Sequence, residues 1–406
     1  MSNGNKLSTT DPKRLAVKLS VTGERSVRSG HPWIFSESIE KINLEGASGD
    51  IAIVFSHTKN KVIGVGLYDP DSPIRIKMLH SGGGASIDAE FFSEKIHTAY
   101  ARRLELFETN TNSYRLLFGE NDGLPGFIAD VYDRVLVVKL YSEIWLPYLE
   151  DMLKVLIEVS GCNCSVIRLS RKLQGSEKCT FKDGDILFGE LTNEVVEFVE
   201  HGVHFSANVI QGHKTGYFLD HRANRKLVGD LSKDKEVLDV FSYAGGFSVH
   251  ALAKGAKEVT SLDISKQALE VAFYNGKLNQ YNGLHKTIAG DAFEEMNKLI
   301  KAKRKFDIVV IDPPSFAKNL KEIDVAKKKY SQLATLGEQL CRKGGMLVLA
   351  SCSSRISSET FFAINKATLT NNLRKFSLHL TTGHDIDHPI SFPEGAYLKC
   401  GYYKLG

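Results

Sequence analysis

The run MLVLASC ends at Cys352, which stands between Ser351 and Ser353 after a stretch that reads as a buried strand. A thiol at the tip of such a strand has two readings. As a small apolar residue it fills a core. As a thiolate it can add to C6 of a cytosine and turn C5, otherwise a poor nucleophile toward a methyl sulfonium, into the reactive carbon of an enamine. The thiolate needs a nearby positive charge or a helix terminus to be favoured. A second chemical element is Asp312-Pro313-Pro314-Ser315-Phe316. Its prolines stiffen the backbone where a planar base would be held. Asp312 is suited to the N3 and amino edge of a cytosine, where it would position the ring and support its protonation.

Asp312 is also one of four acids that close consecutive apolar runs, with Asp239, Asp263 and Asp291. In an open α/β sheet, ligands sit beyond the carboxyl ends of the strands. The first run leads into Ser242-Tyr243-Ala244-Gly245-Gly246, a turn where backbone can approach a ligand closely. The dinucleotide fingerprint G-x-G-x-x-G is missing, and carboxylates beside a pyrophosphate would repel it. S-adenosylmethionine carries no phosphate but has a sulfonium, an ammonium, ribose hydroxyls and an adenine amine, all suitable partners for carboxylates. Asp239, Ser242, Tyr243, Gly245, Gly246, Asp263, Asp291 and Asp312 are therefore candidate cofactor residues. Asp263 falls where such folds place an acid on the ribose hydroxyls. Asp291 is assigned to the adenine edge or to a helix N-cap, and Asp263 or Ser265 could likewise cap the helix that follows.

These positions require a scaffold that brings strand ends together. From residue 201 onward, strands (EVLDVF, EVTSLDI, HKTIAGD, FDIVVID, MLVLASC) alternate with helices starting near 246, 265, 292 and 357 and with a Lys-rich helix ending near 341. Such alternation predicts a doubly wound, mostly parallel α/β sheet. FSLHLTT and AYLKCGYYKL predict an antiparallel end to it. Upstream, short strands between residues 15 and 79 predict a small barrel or sandwich with few helices. SGGGAS then makes a joint. A helix over 90–107, strands at FIADVY and RVLVVKL, a helix over 146–159, and strands at SVIRLS and VVEFVE predict a central α+β segment. The segments are taken as 1–80, 81–200 and 201–406.

Several motifs in fixed order resemble one family, the RlmI-type cytosine-C5 methyltransferases of large-subunit ribosomal RNA. They are GHPWIF at 30–35, GENDGLPGFIADVYD at 119–133, QGHKTGYFLDHR at 211–222, FSYAGGFSVHAL, DPPSF and SCS. The resemblance spans nearly the whole chain. It implies an N-terminal β-rich PUA-like domain, a central α+β domain and a Rossmann-like class I methyltransferase domain, with Cys352 as nucleophile. It also implies that KTGYFLDHR borders the cofactor pocket, which adds Tyr217, Asp220 and Arg222 as candidates. The alternative for Asp220 and Arg222 is structural pairing. DPPSF also resembles the fourth motif of amino-methyltransferases, but those carry an aromatic residue where this chain has Ser315. A neighbouring class of RNA cytosine methyltransferases carries a second cysteine beside these prolines to release product. Here another base must take the C5 proton.

Composition narrows the class without naming it. A hydrophobic fraction of 42%, a charged fraction of 25% and a net charge of +4 suit a globular protein able to meet a polyanion. No run approaches a membrane span. The polar start, MSNGNKLSTTDPKR, reads as a frayed tail on a cytoplasmic protein. The six cysteines show no Cys-x-x-Cys spacing. Lys13, Arg14, Arg25 and Arg28 near Trp33 and Phe35 suit phosphate contact and base stacking, against a core role for the two aromatics. The run Lys327 to Lys329 is set against a solvated helix face. His384, Asp385, Asp387 and His388 lack metal-site spacing, and no metal is expected. The expected cofactor is S-adenosylmethionine and the expected partner ribosomal RNA, with a homodimer left open. Two rivals stand beside cytosine-C5 methylation: a guanine amino-methyltransferase, and a non-catalytic RNA-binding assembly factor.

Overall fold

The structure, a computed structural model, describes residues 11–406, so most of the tail read as frayed lies outside the described residues. The chain forms two compact units. One takes residues up to 198 with 207–219 and 386–395; the other takes 199–206, 220–385 and 396–406. The three-segment division at 80 and 200 is linear, whereas these units interleave.

In the first unit, β1 (Arg14–Leu19), β2 (Trp33–Phe35), β3 (Ile39–Ile42), β4 (Ile51–Phe55), β5 (Val62–Tyr68) and β6 (Ile74–Ser81) form one sheet in the order β2-β6-β5-β4-β1-β3. The period-2 pattern buries Leu15, Val17 and Leu19 on one face of β1. A helix that the sequence pattern does not show, α1 (Val21–Arg28), follows β1, started by the Ser20 hydroxyl accepting from the Gly23 amide at 3.2 Å. Its VTGERSVR sequence has little propensity of its own. A second sheet, β7 (Ser113–Phe118), β8 (Phe127–Tyr132), β9 (Val135–Leu140), β10 (Cys164–Leu169) and β11 (Ile186–Gly189), runs in the order β11-β10-β9-β8-β7. It packs with α2 (Ala89–Ala101), α3 (Leu104–Phe107), α4 (Leu149–Ser160) and α5 (Arg171–Gln174) around Phe92, Ile96, Leu116 and Trp145. The helix expected over 90–107 breaks between α2 and α3. There Arg103 turns inward, fully buried, and binds both carboxylate oxygens of Asp122.

Strands β12 (Val195–Glu200) and β13 (Val203–Asn208) pair with each other. The second unit continues with α6 (Arg222–Asp230), β14 (Glu236–Val240), α7 (Gly246–Ala253), β15 (Glu258–Asp263), α8 (Lys266–Lys277), β16 (Leu284–Ala289), α9 (Ala292–Lys301) and β17 (Phe306–Ile311). It ends with α10 (Ile323–Leu340), β18 (Cys341–Ser351), α11 (Ser358–Asn371), β19 (Phe376–Thr382) and β20 (Lys399–Leu405). The sheet order is β16-β15-β14-β17-β18-β20-β19. The first five strands are parallel, and β20 is antiparallel to both β18 and β19, as the alternation and the apolar ends of the chain predict. Because β14 pairs with β15 on one side and β17 on the other, the strand order reverses beside it, and in folds of this kind the ligand crevice lies beyond the carboxyl ends of the strands there.

Candidate active site

The crevice is built from the loops that leave β14, β15, β17 and β18. After β14 the backbone turns sharply: Phe241 and Tyr243 hold φ of 64° and 46°, and Gly245, at 78°, caps α7. Two non-glycine residues in the left-handed region are strained, and such strain gathers where a loop must hold one shape. What holds it here is Asp263, whose carboxylate accepts from the Tyr243 amide and the Ser265 amide, each at 2.9 Å. Ser265, not Asp263, caps α8 through the Ala268 amide. Gly245 is required by contact as well as by φ, since a Cβ there would lie 2.7 Å from that of Ala272.

Asp239 is buried at the end of β14, and one oxygen accepts from the amide and hydroxyl of Ser248 at 3.0 and 2.7 Å. The hydroxyls of Ser248 and Ser261 and Nε2 of His285 extend this contact into the core with spacings of 2.6 and 2.8 Å. The other oxygen, Oδ1, has no hydrogen-bond partner among the described residues, and neither does the buried hydroxyl of Ser242. Burial, followed by the charges of Asp312 and Asp263, pushes the Asp239 carboxyl up to about 7. Asp291 is exposed and caps α9, its Oδ1 accepting from the amides of Phe293 and Glu294.

Asp312 follows β17 with its side chain 24% exposed, and its Oδ1 lies 3.3 Å from Nε2 of the buried His221. Burial lowers the pKa of His221, but the Asp312 carboxylate outweighs it and the net direction is upward. On the other ring nitrogen, Nδ1, the Asn224 amide approaches to 3.2 Å. Cys352, directly after β18, is half-buried, with Sγ 3.8 Å from the Pro313 carbonyl oxygen. Cys341 and Cys400 are fully buried with thiol pKa values raised by burial, in keeping with a packing role. Asp239, Asp263, Asp312 and Cys352 thus come from neighbouring strand ends of one sheet.

The remaining candidates are placed differently. Asp220 accepts from the Tyr397 hydroxyl at 2.8 Å, and the fully buried Arg222 pairs with Asp385 at 3.0 Å, so both make structural pairings. Tyr217 belongs to the first unit, buried against Phe198 and bonded through its backbone to the Tyr132 hydroxyl. The run from His384 to His388 divides between the two units. Among the described residues, no three His, Cys, Asp or Glu side chains could together hold a metal ion. Trp33 is half-buried and donates its indole N–H to Glu120 at 3.0 Å, whereas Phe35 is exposed. Two groups that the sequence reading missed are His221 and Lys399. Lys399 is buried at the start of β20, and its only sequence signal is a lysine inside an apolar strand.

A doubly wound sheet whose switch point presents carboxylates, with no glycine-rich phosphate cradle, defines the class of S-adenosylmethionine-dependent methyltransferases. Residues 115–394, more than half of the chain, match the family described as S-adenosylmethionine-dependent methyltransferase, and residues 17–81 match a PUA-like domain. The chain belongs to that methyltransferase family, together with curated relatives named for ribosomal RNA large subunit methylation. It is 39% identical to "Ribosomal RNA large subunit methyltransferase" of Deinococcus radiodurans over 97% of this chain and 98% of the relative. It is 34% identical to "Ribosomal RNA large subunit methyltransferase I" of Tolumonas auensis over 94% of this chain and 97% of the relative. A methyltransferase structure from Streptococcus mutans shares the fold with a TM-score of 0.81 at 19% identity, covering 96% of this chain and 99% of that one. A methyltransferase solved in complex with SAH has the same score and identity over 97% of this chain and 100% of its own.

S-adenosylmethionine is the cofactor, and the residues present fit it. Two buried oxygens, Asp239 Oδ1 and Ser242 Oγ, stand without internal partners. The Gly245 turn packs so closely on α8 that a Cβ there would lie 2.7 Å from that of Ala272, which keeps the turn in one shape. Among the described residues, no helix is long and apolar enough to cross a membrane.

Proposed function

We propose that this protein methylates C5 of a cytosine in large-subunit ribosomal RNA, with Cys352 as the covalent nucleophile and Asp312 as the group that orients the base. The observation that carries the reading is the Cys352 thiol, half-buried and 3.8 Å from the Pro313 carbonyl, on the same sheet edge as the acids. The names of the curated relatives support ribosomal RNA as substrate and partner. A cytoplasmic location follows from that substrate. The homodimer finds no support, and this reading does not need it. Residues 1–80 would bind RNA, 81–200 would connect, and 201–406 would carry the reaction.

When bound, the cofactor supplies an electrophilic methyl carbon on a sulfonium sulfur. Asp239 would take its positively charged amino-acid end, Asp263 the ribose hydroxyls and Asp291 the adenine edge, with Ser242, Tyr243, Gly245 and Gly246 shaping the turn. Asp220 and Arg222 would act through the fold they stabilise, by their pairings with Tyr397 and Asp385. The Cys352 sulfur forms a bond to C6 of the cytosine, and the displaced π electrons make C5 nucleophilic. Asp312, with Nε2 of His221 3.3 Å away, would face the N3 and amino edge of the ring. The C5 carbon so activated by Cys352 would take the methyl group that the bound cofactor supplies, the thioether leaving with the sulfonium electron pair. Loss of the C5 proton to a base and cleavage of the C6–S bond restore the aromatic ring and the thiolate.

Cys352→Ala tests this reading. Activity on ribosomal RNA should disappear, and nucleoside mass analysis of RNA treated with the unaltered protein should show 5-methylcytidine. Full activity in Cys352→Ala with methylated guanine as product would replace the reading with amine methylation. Absence of cofactor binding by calorimetry would leave an RNA-binding module.

A further inference from the structure

A thiolate nucleophile needs a cation close by, and the structure contains one in an unusual setting. Strand β20 opens at Lys399, whose backbone pairs in register with Ser351, the residue before Cys352. Its side chain is buried, with 1% of the residue exposed. The ammonium donates to the carbonyl oxygen of Tyr397 at 3.1 Å and to the carbonyls of Ser353 and Ile356. Three carbonyls match its three N–H bonds, and among the described residues no carboxylate forms an ion pair with it. A buried charge without a counter-ion is costly. A methionine would fill the same space without that cost, so the charge calls for a function.

We propose that Lys399 is a positioning residue that clamps the loop carrying Cys352 through the Ser353 and Ile356 carbonyls and supplies the positive charge that favours the Cys352 thiolate. The proposal deepens the covalent reading above and rests on it for its catalytic meaning. The other titratable groups near this thiol act differently. Tyr330 of α10, bonded to the Ser351 hydroxyl at 2.8 Å, is pushed up by burial to about 12 and stays neutral. Asp312, beside Pro313, is acidic and offers the thiolate no stabilising charge. Cys400 is buried and held as the neutral thiol. Burial lowers Lys399 to about 8, partly offset by Cys352, so the cation persists at neutral pH and is lost above that value.

Alkylation of the full chain with iodoacetamide from pH 6 to 10 tests this, with Cys352 followed by peptide mass analysis. Only the thiolate reacts, so the rate reports the thiolate fraction. In the unaltered protein, the Cys352 profile should rise at a pH below that of an ordinary thiol, about 8.5. In Lys399→Met the rate at pH 7 should fall about tenfold, and Lys399→Arg should recover part of it. A folded Lys399→Met protein with an unchanged profile would overturn the proposal. Should that variant not fold, a profile in the unaltered protein at or above the ordinary thiol value would overturn it as well. The readout does not depend on methyl transfer. A Lys399-dependent profile in a protein whose Cys352→Ala variant stays fully active would keep the charge pairing and sink the covalent reading, and the converse results would do the reverse.

Discussion

Nε2 of His221 lies 3.3 Å from Oδ1 of Asp312, and the buried ring is fixed from its other side by Asn224. The Asn224 amide has its own orientation set, because its oxygen accepts from the hydroxyls of Thr382 and Tyr402. Its nitrogen therefore faces Nδ1, and the neutral ring carries its proton on Nε2, the nitrogen on the Asp312 side, without hydrogen-bond geometry to that carboxylate. On the proposed reading, in which Asp312 orients the base, His221 is a positioning residue for that carboxylate. The contact falls short of hydrogen-bond geometry, so it contributes about 0.5–1.5 kcal/mol, which corresponds to about 2–10-fold in rate. His221→Ala should lower kcat by that factor while the Kd for S-adenosylmethionine changes less than about threefold. An equal loss in cofactor affinity would show that Asp312 serves the cofactor and not the base. Because the pKa of His221 is raised in the fold, its contribution to stability is full below about 6.5 and is lost as pH rises through the folded value. His221→Gln should flatten that part of the pH-stability curve.

Asp239 predicts a pH dependence of opposite origin. Its carboxyl is raised to about 7, chiefly by burial and then by Asp312 and Asp263, so below neutrality the folded protein holds a proton that the unfolded chain has released. Stability of the cofactor-free protein should therefore fall between about pH 4 and pH 7 and then level. Cofactor binding runs the other way, since a cationic ligand needs the carboxylate. Affinity should weaken as pH drops below about 7, and binding near pH 7 should release protons, measurable by calorimetry in buffers of different ionisation enthalpy. In Asp239→Asn the affinity should be lower and the pH dependence reduced. If the slope survives unchanged in that variant, the titrating group is another one.

Much of this site was legible because strand ends are legible. Apolar runs closed by Asp239 and Asp263, with turns and helices between them, locate the crevice from the order of residues alone, and β14 to β18 form where that pattern places them. Pairing partners of the buried charges were not legible. Arg222 meets Asp385, and Lys399 meets the loop after β18, across long separations that no local pattern encodes. Asp291 shows a different limit, because a helix N-cap and a ligand contact demand the same residue at the same strand end, and geometry assigns Oδ1 to the cap. Nor does periodicity reveal that residues 207–219 and 386–395 pack with the first unit.

The glycine of the turn after β14 can be tested by a single methyl group. Gly245 holds φ of 78°, and an added Cβ would meet the Cβ of Ala272 at 2.7 Å and its Cα at 3.1 Å. Backbone in the left-handed region costs about 1–3 kcal/mol for a residue with a side chain. The contact lies on α8, so relief would move the turn, with Ser242 and Tyr243, away from Ala272. Gly245→Ala should lower the denaturant midpoint and weaken cofactor binding at least tenfold. Unaltered binding with lowered stability would place the cofactor away from this turn.

The anchor of α6, which carries Asn224 next to the His221 contact, is a buried ion pair, Arg225 with Glu200, joined by His250, whose pKa burial lowers. Arg225 binds both oxygens of Glu200 at 2.7 and 2.6 Å, and Nε2 of His250 reaches the same carboxylate at 2.8 Å. Burial raises the Glu200 pKa, but Arg225 and His250 more than reverse it, leaving the carboxyl well below the usual range. Removing one partner leaves a buried charge uncompensated, which costs about 3–5 kcal/mol, far more than the intact pair contributes. Arg225→Met should therefore destabilise the protein by about that amount in urea unfolding. The double variant Arg225→Met with Glu200→Gln should recover a large part of the loss, because the orphaned carboxylate is gone. A double variant as unstable as the single one would mean that packing of the Arg225 stem, and not its charge, holds α6 in place.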